Sequence, residues 1–138
     1  QNYFGELMTD FEGACYGQYF LEFVDYYTRE NADGSDFLKL AYQSLRALTV
    51  KSIPRRLVRC IYEIRVNVAN WEFPGLPQGN FSETALYAVE FIAGTPVEKL
   101  YTFTLKEEVL AELVQIAEKY RRDFLPGEFH TLEILETL

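Results

Sequence analysis

The sequence predicts an all-α fold, a compact multi-helix domain interrupted by one irregular Pro/Gly insert. Three observations carry this. Apolar residues recur at spacings of three and four along most of the chain, the period of a helix with one buried face. Capping residues stand where those stretches open, and Gly or Pro where they close. No stretch alternates apolar and polar residues as a half-buried strand would, and there is no internal repeat or low-complexity segment.

The first helix is expected from about Thr9 to Arg29. Phe11, Cys15, Tyr19, Phe23 and Tyr27 recur there every fourth residue, with Phe20 and Val24 beside them. The segment ENADGSD at 30–36 is a loop of turn formers. A second helix runs from about Ser35 to Leu48 with Phe37, Ala41, Leu45 and Leu48 inward, while Lys39, Tyr42 and Arg46 share another face. Ser52 is suited to cap a third helix, with Pro54 in its first turn. Leu57, Ile61, Ile64, Val68 and Trp71 make that helix central. The insert EFPGLPQGNFS spans 72–82, and Ser82 then starts a fourth helix to about Ala93. TPVE at 95–98 and TLKE at 104–107 are capping boxes, for a short helix and for a long one ending near Phe124. LPG at 125–127 stops the long helix, and the tail FHTLEILETL is apolar enough to dock back as a last helical turn.

A chain of 138 residues is read as one domain, long enough to bury a core without disulfides or metal. Its 49% hydrophobic and 16% aromatic content excludes a disordered segment. Cys15 and Cys60 both fall on apolar helical stripes and are expected as buried free thiols of a reducing, cytoplasmic protein. No membrane span and no signal peptide is legible. His130 is the only histidine and there is no paired-cysteine motif, so no metal and no cofactor is expected. Glu107 and Glu108 are acids in the first turn of a helix, favoured there by its dipole, and not a catalytic pair. No Gly-rich phosphate loop exists. No catalytic residue is assigned, and an enzyme is the least expected class.

Charge is the informative feature. The chain has 13 Lys and Arg against 21 Asp and Glu, a net charge of −8. Yet Arg46, Lys51, Arg55, Arg56, Arg59 and Arg65 crowd into 20 residues with one acid, Glu63. Soluble surfaces usually intersperse their signs. On the third helix, Arg55, Arg59, Tyr62 and Val66 lie opposite Leu57, Ile61, Ile64 and Val68, so cations mix with an aromatic and an aliphatic residue. One reading is a helix enclosed by its neighbours, with the arginines at its exposed end. The other is a groove for a partner both acidic and apolar, built from Arg46, Lys51, Arg55, Arg56, Arg59 and Tyr62. Lys39, Tyr42 and Val66 would extend it.

Five segments, in order, resemble the C-terminal helical domain of the RecO family, bacterial recombination mediators of DNA repair. ACYGQYFLEFVDYYTREN (14–31) resembles that family's A-x-Y-x-x-E-L helix, and FLKLAYQSLRAL (37–48) its Leu-repeat helix. YEIRVNVANW (62–71), TPVEKLYTFTLKEEVLAEL (95–113) and FHTLEILETL (129–138) are similar to its F-E-L, P-l-E-K and S-L-e-f-L segments. The resemblance implies a non-enzymatic, nucleoid-associated adaptor. It would bind RecR and the acidic C-terminal tail of single-stranded DNA-binding protein, supporting RecA loading and strand annealing. It also implies an N-terminal OB-fold upstream of Gln1, without which this segment should bind DNA only weakly. The insert at 72–82 stands where many members carry a cysteine-rich zinc knuckle, and it contains no cysteine. Assignment of the tail site to Arg55, Arg59 and Tyr62 comes from charge and spacing, not from the family motif. The rival readings are direct contact of the same arginines with DNA phosphates, and a purely structural domain whose arginines pair with its own acids.

Overall fold

The structure is a computed structural model that describes residues 10–30, 35–69, 75–124 and 130–137. Among these are six α-helices and no strand. They are α1 (Phe11–Glu30), α2 (Ser35–Leu48), α3 (Arg55–Ala69), α4 (Glu83–Gly94), α5 (Glu107–Phe124) and α6 (His130–Glu136). A 3-10 turn, Val97–Lys99, lies between α4 and α5. The expected positions of Thr9, Trp71, the 31–34 loop, the first part of the insert and LPG lie outside the described residues.

The helix starts follow local chemistry. Asp10 opens α1, its carboxylate accepting from Gly13 N at 3.0 Å. Ser82 caps α4 through Ala85 N at 3.2 Å, and Glu112 of α5 accepts from both the amide and hydroxyl of Ser82. Two expected starts are displaced. α3 begins at Arg55, just past Pro54, whose carbonyl accepts from Leu57 and Val58. α5 begins at Glu107, three residues beyond Thr104, with Lys106 O accepting its first bond. The TPVE box does not close either: Pro96 is the cap of the 3-10 turn and no side chain bonds to it.

α3 runs through the middle, packed on α2, α4 and α5, while α1 packs on α2 and α6. Leu57, Val58, Cys60, Ile61, Tyr62, Glu63, Ile64, Val66 and Asn67 are all buried, so α3 is enclosed nearly all round. Tyr62 stacks on Phe20 at 4.2 Å between ring centroids and donates its hydroxyl to Phe20 O at 2.6 Å. Tyr27 stacks on Phe37 at 4.9 Å, joining α1 to α2. Within the insert, Gly75 takes a φ of 88°, a left-handed conformation that costs glycine little, and its carbonyl accepts from Tyr120 at 2.7 Å.

Burial raises the ionisation of Tyr19 and Tyr62 well above the ordinary 10.0, and Tyr101 is also raised. Tyr120 is pushed up to about 12, again by burial. A raised acid favours the fold below its unfolded value and loses that contribution as pH climbs through the folded one. Alkaline titration by tyrosinate absorbance should therefore show Tyr19, Tyr62 and Tyr101 ionising only as the fold is lost above pH 10. All tyrosines ionising in one step near the ordinary value, with helical circular dichroism intact, would contradict this packing.

Candidate functional site

The basic cluster divides into cations held by the fold and cations whose side chains have no partner among the described residues. Arg55 is held three ways. It meets Asp10 at 2.5 Å and Glu12 at 3.2 Å, and donates to Leu48 O from Nε and Nη2, each at 3.3 Å. It thereby joins the start of α1 and the open end of α2 to the start of α3. The hydrogen bond from Arg55 holds the Asp10 carboxyl below the usual carboxylate range. Arg65 caps the end of α4, donating to Ile92 O at 2.9 Å and Thr95 O at 2.6 Å. Arg56 meets Glu107 at 3.5 Å with both side chains exposed. Such a pair contributes only ~0.2–1 kcal/mol.

Arg59 belongs to a buried network around Glu63, which is 1% exposed. One carboxylate oxygen, Oε2, accepts from Tyr19 Oη at 2.5 Å, Arg121 Nη1 at 3.0 Å and Arg59 Nε at 3.3 Å. Arg59 and Arg121 then share Glu136 of α6, at 3.2 and 3.5 Å. The Arg59 guanidinium also lies over the Tyr19 ring, 5.5 Å from its centroid. Burial pulls the Arg59 ionisation down, but Glu63, Tyr19 and Glu136 more than offset that and leave it raised.

Two expected groove residues cannot meet a partner. Tyr62 and Val66 are each 0% exposed, and Tyr62 is covered by Phe20 and Phe23 of α1, on a side of α3 that a helical wheel alone leaves open. Cys15 and Cys60 are buried free thiols, with burial pushing the Cys60 thiol up. Among the described residues, no cluster of His, Cys, Asp and Glu could hold a metal, and no helix is long and apolar enough to cross a membrane.

Arg46 and Lys51 differ from the rest. Both are exposed and neither makes an ion pair among the described residues. Arg46 lines a groove of about 480 Å³ between the end of α2, the α2–α3 link and residues 98–104. Its apolar wall is Ala47, Val50, Ile53, Tyr101 and Phe103; Gln43, Ser52, Thr102 and Thr104 add hydrogen-bonding groups, and Glu98 is its one acid among the described residues. Ser44 gives its proton to Leu40 O at 2.7 Å, so Tyr101 donates to Ser44 Oγ at 2.5 Å and fixes that wall to α2. Lys39 and Tyr42 are exposed on α2 outside the groove lining.

Sequence reading missed the 98–104 wall, which is remote in sequence from the basic window. It also missed Glu136 as a partner of Arg59, and Arg121 as the second arginine on the same two acids. The signal for the network was present: the only acid in the basic window stands one turn after Arg59. No protein-family model, curated protein or solved structure matches the chain.

The two kinds of cation should separate by mutation. Glu63→Ala leaves two guanidiniums and a buried phenol without their acceptor, and should cost ~3–5 kcal/mol in urea unfolding. Arg46→Ala removes no side-chain partner among the described residues and should stay within ~0.5 kcal/mol of the parent. Equal losses for the two would refute the division.

Proposed function

We propose that this chain is a non-catalytic adaptor domain of the RecO type, and that it takes an acidic segment with an apolar residue in the Arg46 groove. The observation that carries the reading is an arginine with no ion pair among the described residues, on the rim of a groove walled by Val50, Ile53 and Phe103. Arginine offers a planar fork to a carboxylate, and the apolar wall gives a side chain somewhere to leave water. Lys51, exposed and close in sequence, adds a second positive charge for an acidic chain. The order of the sequence motifs and the all-helical architecture support the family reading. On that reading the ligand is the acidic tail of single-stranded DNA-binding protein. RecR is a second partner, and the setting is recombination at the nucleoid in the cytoplasm.

The division of labour between charge and burial sets the expected salt response. Exposed charge contacts weaken as salt screens them. Burying a large apolar side chain contributes ~1.5–3 kcal/mol and does not screen. Direct binding to DNA phosphates is the weaker reading, since the whole chain carries −8 and phosphate contacts demand a basic face. A purely structural domain is favoured for one part of the cluster, because Arg55, Arg59 and Arg65 all have internal acceptors.

Fluorescence anisotropy with a labelled acidic peptide ending in Phe tests this, with labelled single-stranded DNA run beside it. Arg46→Glu should weaken the peptide roughly tenfold or more, about 1.4 kcal/mol, with the unfolding midpoint unchanged. Added salt should reduce the affinity without abolishing it. Peptide affinity indifferent to Arg46→Glu would remove the groove from the account. Tight, steeply salt-dependent binding to DNA alone would favour the phosphate reading.

A further inference from the structure

The helix α6 has seven residues, too short to hold its shape in water without a surface to dock on. Three attachments hold it among the described residues. Leu135 is buried. Thr131 donates its amide and its hydroxyl to Glu22 Oε1 of α1, at 3.2 and 2.5 Å. Glu136 accepts from Arg59 at 3.2 Å and pairs with Arg121 at 3.5 Å, yet its side chain stays 54% exposed. Glu133, Ile134 and Thr137 face solvent.

Beneath α6, two arginines divide their ion pairs between one buried acid and one acid of α6 itself. Arg59 and Arg121 bring two positive charges and Glu63 supplies one negative, on an oxygen that already takes three donors. Glu136 neutralises the other. Beside it opens a small cleft of about 90 Å³, with Cys60 and Val114 as apolar wall and Arg56 and Glu118 completing the lining. Lifting α6 would leave two guanidiniums, 15% and 19% exposed with α6 in place, with Glu63 as their one remaining ion-pair partner among the described residues. A partly buried cation in that state calls for another anion.

We infer that α6 is an intramolecular ligand seated in a two-arginine carboxylate receptor. An acidic segment of a partner protein that pairs a leucine with a following carboxylate, as Leu135–Glu136 does, exchanges with it. Arg59 then becomes a partner-binding residue only when α6 leaves. This inference does not rest on the Arg46 groove.

The test uses the whole chain and a labelled peptide of residues 130–138, together with the same peptide carrying Gln in place of its Glu136. Parent, Glu136→Gln and the double variant Leu135→Ala/Glu136→Gln are titrated by anisotropy, with circular dichroism melts to confirm folding. Glu136→Gln changes an exposed side chain, so it decides the matter even where the double variant does not fold. Glu136→Gln should bind the Glu peptide at least about tenfold more tightly than the parent, because its own tail competes less well. The Gln peptide should lose most of that affinity. Equal binding by parent and Glu136→Gln, equal binding of the two peptides, or no binding at all would each overturn the exchange.

Discussion

A carboxylate taken out of water must be surrounded by donors, and Glu63 meets that constraint with groups from three helices. Tyr19 comes from α1, Arg59 from α3 itself and Arg121 from α5. Through the two arginines the same carboxylate reaches Glu136 on α6. Apolar burial supplies most of the drive for folding, but it has no direction. Hydrogen bonds weaken beyond ~3.2 Å and away from line, so four helices sharing one network have little freedom to slide. The aromatic stack of Phe20 on Tyr62 lies on the same α1–α3 contact, and the hydroxyl of Tyr62 closes on the α1 backbone.

Arginines crowd in the middle of an acidic chain because several of them finish the fold's polar business. Arg55 satisfies an open carbonyl of α2, and Arg65 does the same for α4. Arg59 serves Glu63. In each case one guanidinium joins elements that apolar contacts alone would leave with unpaired carbonyls or carboxylates. What remains for a ligand is the end of α2 and the link that follows it. There Arg46 lines a largely apolar groove and makes no ion pair among the described residues. The proposed adaptor role thus moves away from the centre of α3 and toward the α2–α3 link.

The helices were legible because their apolar spacing is regular. Phe37 to Leu48 and Leu57 to Val68 locate α2 and α3 to within a few residues of where they lie. The capping boxes were less reliable, since Thr95 and Thr104 fit the pattern while other residues make the first turns. The groove was half legible. Arg46 and Lys51 stand out by charge, but Tyr101 and Phe103 join them only through tertiary folding. Tyr62 misled because a helical wheel shows which face differs, not whether a neighbour covers it. Glu63 was visible as an anomaly, and its partner Arg121 lies 58 residues away, beyond the reach of local pattern.

The claim that one buried carboxylate aligns these helices is tested most directly by a double-mutant cycle in urea. It pairs Glu63→Gln with Arg121→Met and compares the losses of each single variant with that of both together. A coupling of about 2 kcal/mol or more is expected, above the ~0.2–1 kcal/mol typical of exposed ion pairs. A coupling below ~0.5 kcal/mol would mean that the pair is incidental and that apolar packing alone sets the arrangement.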